Sequence, residues 1–182
     1  MTDAEEQLEE VFLKPGEAYL SREPAILSTL LGSCVGITFW AERLGVGALC
    51  HAMLPNCPQA PLRQVSPDVG YRYVDYAIRT LAHKFDELGA LRSEVQVKVF
   101  GGADVLTVSD QALCARTVGE VNCDVAQAIL RAEGFRIAAS SVRGDVGVKI
   151  RFNTVNGEVQ LRRLQPNHEI HGREKKTRGG AR

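Results

Sequence analysis

A cysteine on a tight turn and a histidine on a neighbouring apolar run are the minimum parts of a thiol nucleophile with its base. Both occur between Ser28 and Leu54, in STLLGSCVGITFWAERLGVGALCHAML. One apolar run ends in Gly32-Ser33-Cys34, and a second, Val46 to Leu54, carries His51. In that arrangement Cys34 attacks an amide carbon. His51 takes the thiol proton and returns it to the leaving amine. An isolated thiol ionises near pH ~8.5, so at neutral pH it needs such a neighbour. A catalytic histidine also needs its far nitrogen held, and Ser28 and Thr29, near the end of the strand leading to Cys34, are the candidate hydroxyls. Gly32, Ser33 and the Cys34 N–H form a candidate oxyanion pocket.

Residue types alone do not make a site. Judged singly, a buried cysteine is a small hydrophobe, and a histidine between Cys50 and Ala52 is a satisfied core residue. Cys50, Cys114 and Cys123 sit in apolar runs or on helix faces and read as structural. A metal site built from Cys50, His51, Cys57 and Cys34 meets a geometric objection. Adjacent strand residues face opposite ways, so Cys50 and His51 do not converge on one ion. No metal and no cofactor is expected. Phe100-Gly101-Gly102-Ala103 lacks the G-x-G-x-x-G spacing of a dinucleotide loop and reads as a close approach of backbone to the site.

The elements that must position these residues follow from pattern. The 182 residues suit one domain, and 45% hydrophobic with 24% charged residues is a globular balance. Formal charge is zero, so nothing global points to nucleic acid. Five cysteines without regular spacing form no disulfide framework, and no run is long enough to insert in a membrane. With an acidic N-terminus that lacks an apolar leader, this predicts a reducing cytoplasm. Residues 1–10 read as a solvated tail or a short helix, and 1–11 as a flexible acidic N-terminus. Strands are expected from Ala18, over Ala25–Leu31, Val35–Trp40, Val46–Met53, Val95–Phe100, Phe135–Ala139, Val148–Phe152 and Glu158–Leu164. Asn156-Gly157 marks a hairpin. Helices are expected over Val69–Leu88 and over Val118–Ala132, the second with Val118, Val121, Val125, Ile129 and Leu130 inward. Pro55 to Pro67 holds four prolines and reads as a long loop. The sum is one α+β domain over 12–165, a layered, mixed, largely antiparallel sheet with two main helices. A polar basic tail over 166–182 reads as disordered.

LGSCVG at Leu31–Gly36, followed seventeen residues after Cys34 by His51 in HAMLP, closely resembles the chemoreceptor glutamine deamidase family, CheD. Lys14-Pro15-Gly16-Glu17 is similar to the family's opening and VKVFGGADVL at Val97–Leu106 to its central segment. VGEVNCDVAQAILRAEGFRIAA at Val118–Ala139 and Val146 to Val159 resemble its late helix, strand and terminal hairpin. The likeness covers residues 12–164. It implies hydrolysis of glutamine side-chain amides in the cytoplasmic helices of chemoreceptors, with Cys34 as nucleophile through a thioester and His51 as base and acid. It also implies a third, hydroxyl residue, at Ser28 by ungapped counting or at Thr29 if the strand slips by one. The implied fold is like the catalytic domain of a glutamine-deamidating bacterial toxin. A CheC-type phosphatase is an implied second partner, and a non-catalytic receptor- or phosphatase-binding adaptor is the alternative role. Val142-Arg143-Gly144 and Gly147-Val148-Lys149 depart from the family's usual Gly-Gly and Gly-Arg-Lys, away from the Cys–His pair.

Overall fold

The computed structural model describes residues 8–59, 61–104 and 116–165. Its strands form two sheets. One has the order β1 (Glu9–Phe12), β3 (Ala25–Leu31), β8 (Val148–Asn153), β9 (Val159–Arg163). The other has the order β2 (Ala18–Ser21), β5 (Val46–Ala52), β4 (Val35–Ala41), β6 (Gln96–Gly101), β7 (Ile137–Val142). Pairing is antiparallel except for β1 with β3 and β6 with β7. The helices are a single turn, α1 (Pro67–Gly70), and two long elements, α2 (Val74–Glu87) and α3 (Val118–Ala132).

Period-two alternation sorts the side chains into two cores. Leu27, Leu31, Leu49, Ile150 and Phe152 fill the space between the sheets. Ile37, Phe39, Cys50, Val97 and Val99 pack on the other side against Ile78, Leu81 and Phe85 of α2 and Leu130 of α3. The layers therefore run helices, five-stranded sheet, four-stranded sheet. The β8–β9 turn locks the sheets together, since the Trp40 indole N–H donates to Thr154 O at 2.9 Å and Lys98 Nζ to Gly157 O at 2.9 Å.

The α+β class, the mixed and largely antiparallel pairing and the two main helices are as the pattern predicts. Four details differ. The strands divide between two sheets instead of one. Glu9–Phe12 is a strand, paired in parallel with β3, where a tail or short helix is expected; residues 1–7 and 166–182 lie outside the described residues. The helix expected from Val69 starts at Val74, because Tyr73 is held extended beside Leu54 and Val74 N donates to Leu54 O at 2.8 Å. Finally, α3 has the expected bounds but a rotated inner face. Gly119, Asn122, Cys123, Ala126 and Leu130 are buried, whereas Val118 is 50% exposed. Small residues win because backbone meets backbone here: a Cβ on Gly119 would lie 2.8 Å from Gly102 O.

Phe39 is fully buried between the rings of Phe85 and Phe135, at centroid distances of 5.9 and 5.4 Å. Phe39→Ala is expected to cost about 3–5 kcal/mol, lowering Tm by roughly 10 °C or more in calorimetry. A shift of only a degree or two would contradict this packing.

Candidate active site

His51 lies on β5, on the face turned to the other sheet, and is 2% exposed. Its neighbour Cys50 faces the helical core, so the two adjacent residues do diverge. The His51 backbone is pinned by the Lys14–Glu17 turn, with His51 N donating to Glu17 O and Gly16 N to His51 O, both at 2.8 Å. Thr29 reaches across from β3, its Oγ1 2.7 Å from His51 Nδ1. The single Thr29 hydroxyl proton goes to Leu13 O at 2.7 Å. Thr29 therefore accepts from His51, and the network assigns the ring proton to Nδ1. That leaves a lone pair on Nε2, which is buried and has no hydrogen-bond partner.

Ser28 points the other way. In register with Phe12 and Arg151, its hydroxyl lies near the Glu10 carboxylate without closing a hydrogen bond, and it makes no contact with His51. Of the two candidate hydroxyls, Thr29 is the one that meets the imidazole.

Cys34 occupies the bend between β3 and β4, half-buried at the edge of the inter-sheet core. Beyond the bend, Gly36 pairs directly with His51. Three consecutive carbonyls of the turn are captured from behind. Ala103 N donates to Gly32 O at 2.8 Å, Asn122 Nδ2 to Ser33 O at 3.1 Å, and Gly102 N to Cys34 O at 2.7 Å. Among the described residues neither Ser33 N nor Cys34 N donates to any other residue's carbonyl or side chain. The backbone N–H of Cys34 itself opposes the rise of the thiol and favours the thiolate. The close approach of Phe100–Ala103 has a steric basis: Gly101 has φ +94°, and a side chain there would collide with Cys34 O.

Burial dominates the electrostatics. It pushes the Cys34 thiol above its ordinary value and the His51 imidazole below its own. The Leu13 carbonyl and the Glu17 carboxylate oppose the shift of His51 but do not reverse it. At neutral pH the pair is accordingly neutral thiol and neutral imidazole. No hydrogen bond joins Cys34 to Nε2 in this state. Such bonds are commonly open without substrate.

Asn122 and the Leu13 carbonyl are the participants that sequence reasoning missed. Asn122 is fully buried and donates both to Ser33 O and, at 2.9 Å, to Met53 O. The available signal was an asparagine at helical spacing between Gly119 and Ala126, both small. Among the described residues no three His, Cys, Asp or Glu side chains cluster as metal ligands, and no helix is long and apolar enough to cross a membrane. Cys114 lies outside the described residues.

A base with a free lone pair, a thiol on an adjoining turn and unpaired backbone donors beside the sulfur are the equipment of amide hydrolysis through a thioester. Comparison with known proteins narrows this class. The model of the family CheD, chemotactic sensory transduction, matches residues 53–163. A Maridesulfovibrio salexigens protein named probable chemoreceptor glutamine deamidase CheD is 39% identical over 168 residues, covering 91% of this chain and 98% of that one. Geobacter sulfurreducens CheD 2, of the same printed description, is 39% identical over 165 residues, covering 90% and 96%. The Oleidesulfovibrio alaskensis CheD is 38% identical over 159 residues, covering 86% and 74%. This chain belongs to the CheD family. A solved structure, Bacillus licheniformis hypothetical protein YfiH, aligns with 70% of this chain and 51% of its own at a TM-score of 0.44 and 12% identity, too distant to inform the fold.

A neutral resting pair has a kinetic signature. Iodoacetamide alkylation of Cys34, followed by peptide mass spectrometry, is expected to rise steadily from pH 6 to beyond the ordinary thiol range, about 8.5. A plateau reaching down to pH 5 would instead reveal a standing thiolate–imidazolium pair. Cys50, fully buried and pushed up to about 12, is expected to stay unlabelled in the folded protein.

Proposed function

We propose that this protein hydrolyses the side-chain amide of glutamines in the cytoplasmic helices of chemoreceptors, giving glutamate and ammonia. One observation carries the reading. The Thr29–His51 hydrogen bond leaves an unprotonated, unpartnered Nε2 on a residue that pairs with Gly36, two residues beyond Cys34. His51 Nε2 takes the Cys34 proton as sulfur attacks the amide carbon. The Ser33 and Cys34 N–H groups receive the oxyanion of the tetrahedral intermediate, with Gly32, its carbonyl held by Ala103 N, forming the bend before them. Collapse of the intermediate breaks the C–N bond, and His51 returns the proton to the leaving nitrogen as ammonia departs. A thioester remains. Water then attacks it, giving up a proton to Nε2, and the thiol and the glutamate carboxylate are released.

The names of the relatives and the membership of the family support a receptor substrate. So does the part-exposed position of the bend, which suits a side chain presented on a large partner. The segment from Pro55 to Pro67 leaves β5 just after His51 and returns to it, Met53 N and Leu54 N donating to Arg72 O at 2.8 and 2.9 Å. Its position at the rim makes it our candidate for the receptor contact, with a CheC-type phosphatase as a second partner. A substrate on the cytoplasmic helices of receptors is reached from the cytoplasm, and that is the compartment we propose.

Incubation with a receptor cytoplasmic fragment is expected to add about one dalton per converted glutamine, and Cys34→Ala to abolish the gain while the protein stays folded. An unchanged mass gain by Cys34→Ala would leave only an adaptor role. Thr29→Val strands the His51 Nδ1–H in the core, which costs about 1–3 kcal/mol of stability. It should also lower kcat by at least about tenfold through the lost ring orientation, whereas Ser28→Ala should leave kcat within about twofold. Equal effects of the two substitutions would remove Thr29 from the mechanism.

A further inference from the structure

Asn122 has a place in the site that no catalytic step accounts for. It sits in the first half of α3, fully buried, and spends both amide protons on two carbonyls. One is Ser33 O in the Cys34 turn; the other is Met53 O, one residue beyond the end of β5. The β4–β5 ladder ends at Val35 with Ala52, so Asn122 joins the two strands where their own pairing stops. Its orientation is not free. Flipping the amide would set Oδ1 against both carbonyl oxygens, and in the observed orientation Oδ1 remains buried without a partner. An asparagine held with half of its hydrogen-bonding capacity unused is retained for the other half.

The consequence follows from the planarity of the peptide group. In a trans peptide the C=O of one residue and the N–H of the next point in opposite directions. Asn122 draws Ser33 O toward α3, so the Cys34 N–H is aimed away from α3. Ala103 does the same for the preceding peptide by holding Gly32 O, which sets the direction of the Ser33 N–H. Two successive N–H groups aimed to one side make an anion-binding concavity. The Gly32–Ser33 peptide is held by backbone alone, which no side-chain substitution removes. The Ser33–Cys34 peptide is held by a side chain.

We propose that Asn122 is a positioning residue for the oxyanion pocket: by anchoring the Ser33 carbonyl it fixes the Cys34 N–H on the developing oxyanion of the amide. The inference rests on the reading of Cys34 as nucleophile. Asn122 touches neither the substrate nor the sulfur, and its effect is confined to steps in which a carbonyl oxygen becomes negative. Deamidation has such a step. Alkylation of Cys34 by iodoacetamide, which displaces iodide at a saturated carbon, has none.

The test compares the full-length protein with Asn122→Leu, similar in volume but without donors, and Asn122→Ala, which leaves a cavity instead of an overlap. Deamidation of a receptor cytoplasmic fragment is followed by intact mass, and alkylation of Cys34 by peptide mass spectrometry across pH. Loss of one oxyanion donor is worth about 100-fold or more in kcat. The expected result is a fall of that order in kcat, with KM, the Cys34 alkylation rate and its pH profile each within about twofold of wild type. Parallel loss of deamidation and alkylation would overturn the proposal, since Asn122 would then merely hold the turn in place. An unchanged kcat would overturn it too, as would failure of both variants to fold. Undiminished deamidation by Cys34→Ala is a separate outcome, and would remove the nucleophile on which the inference rests.

Discussion

The hydrogen bond between Thr29 and His51 crosses from one sheet to the other, and the placement of the candidate base follows from it. An imidazole buried between two sheets is costly unless its N–H is satisfied, and a stranded donor costs about 1–3 kcal/mol against the ~1 kcal/mol that a made bond contributes. The neighbours are arranged to avoid that loss. The parallel pairing of β1 with β3 carries Leu13 alongside Ser28, with Leu13 N on Ser28 O at 2.8 Å. Leu13 O then receives the Thr29 proton, and Thr29 can only accept from the ring. Strand register thus decides a tautomer, and the tautomer decides which nitrogen is basic.

Cys34, the proposed nucleophile, is held by different parts of the molecule. Its turn is gripped through carbonyls, by the backbone of Gly102 and Ala103 and by the side chain of Asn122. The small residues of α3 follow from this arrangement. Side chains on Gly102 or Gly119 would force α3 away from β6 and take the Asn122 amide out of reach of Ser33 O. The base is therefore set by the contact between sheets, and the thiol by the contact between helix and sheet. The two meet only at the end of the β4–β5 ladder.

Much of this was legible in the chain. Ala25–Leu31 and Val118–Ala132 have the bounds that apolar runs, glycines and prolines predict, and Cys50 and His51 diverge as period two requires. Phe100–Ala103 does bring backbone close to the Cys34 turn. Two things were not legible. Choosing between Ser28 and Thr29 needs the face that β3 turns to the second sheet, and an almost uniformly buried strand shows no alternation to reveal it. The inner face of α3 was misread for a related reason. Hydropathy favours Val118 and Val121, but the closest approach to Gly102 selects Gly119 and Cys123, and steric fit overrides side-chain hydrophobicity where backbones touch. Asn122 lies between Val118 and Val125 on the expected inner face, where a hydropathy pattern gives a polar residue no role.

In the proposed reaction, the electrostatics of the pair set the timing of the chemistry. Burial raises the thiol and lowers the imidazole, so a standing thiolate–imidazolium pair is disfavoured from both ends. The proton must therefore move as sulfur attacks, not before. At that moment negative charge is collecting on the carbonyl oxygen of the substrate, beside N–H groups already aimed by anchored peptides, and little of it rests on sulfur. The imidazolium then forms opposite an oxyanion that is itself stabilised. A resting thiolate would react with any electrophile at the open bend. A neutral thiol whose proton leaves only when an oxyanion can form discriminates in favour of carbonyl substrates seated in the pocket, so the burial that slows the free thiol also gives it selectivity.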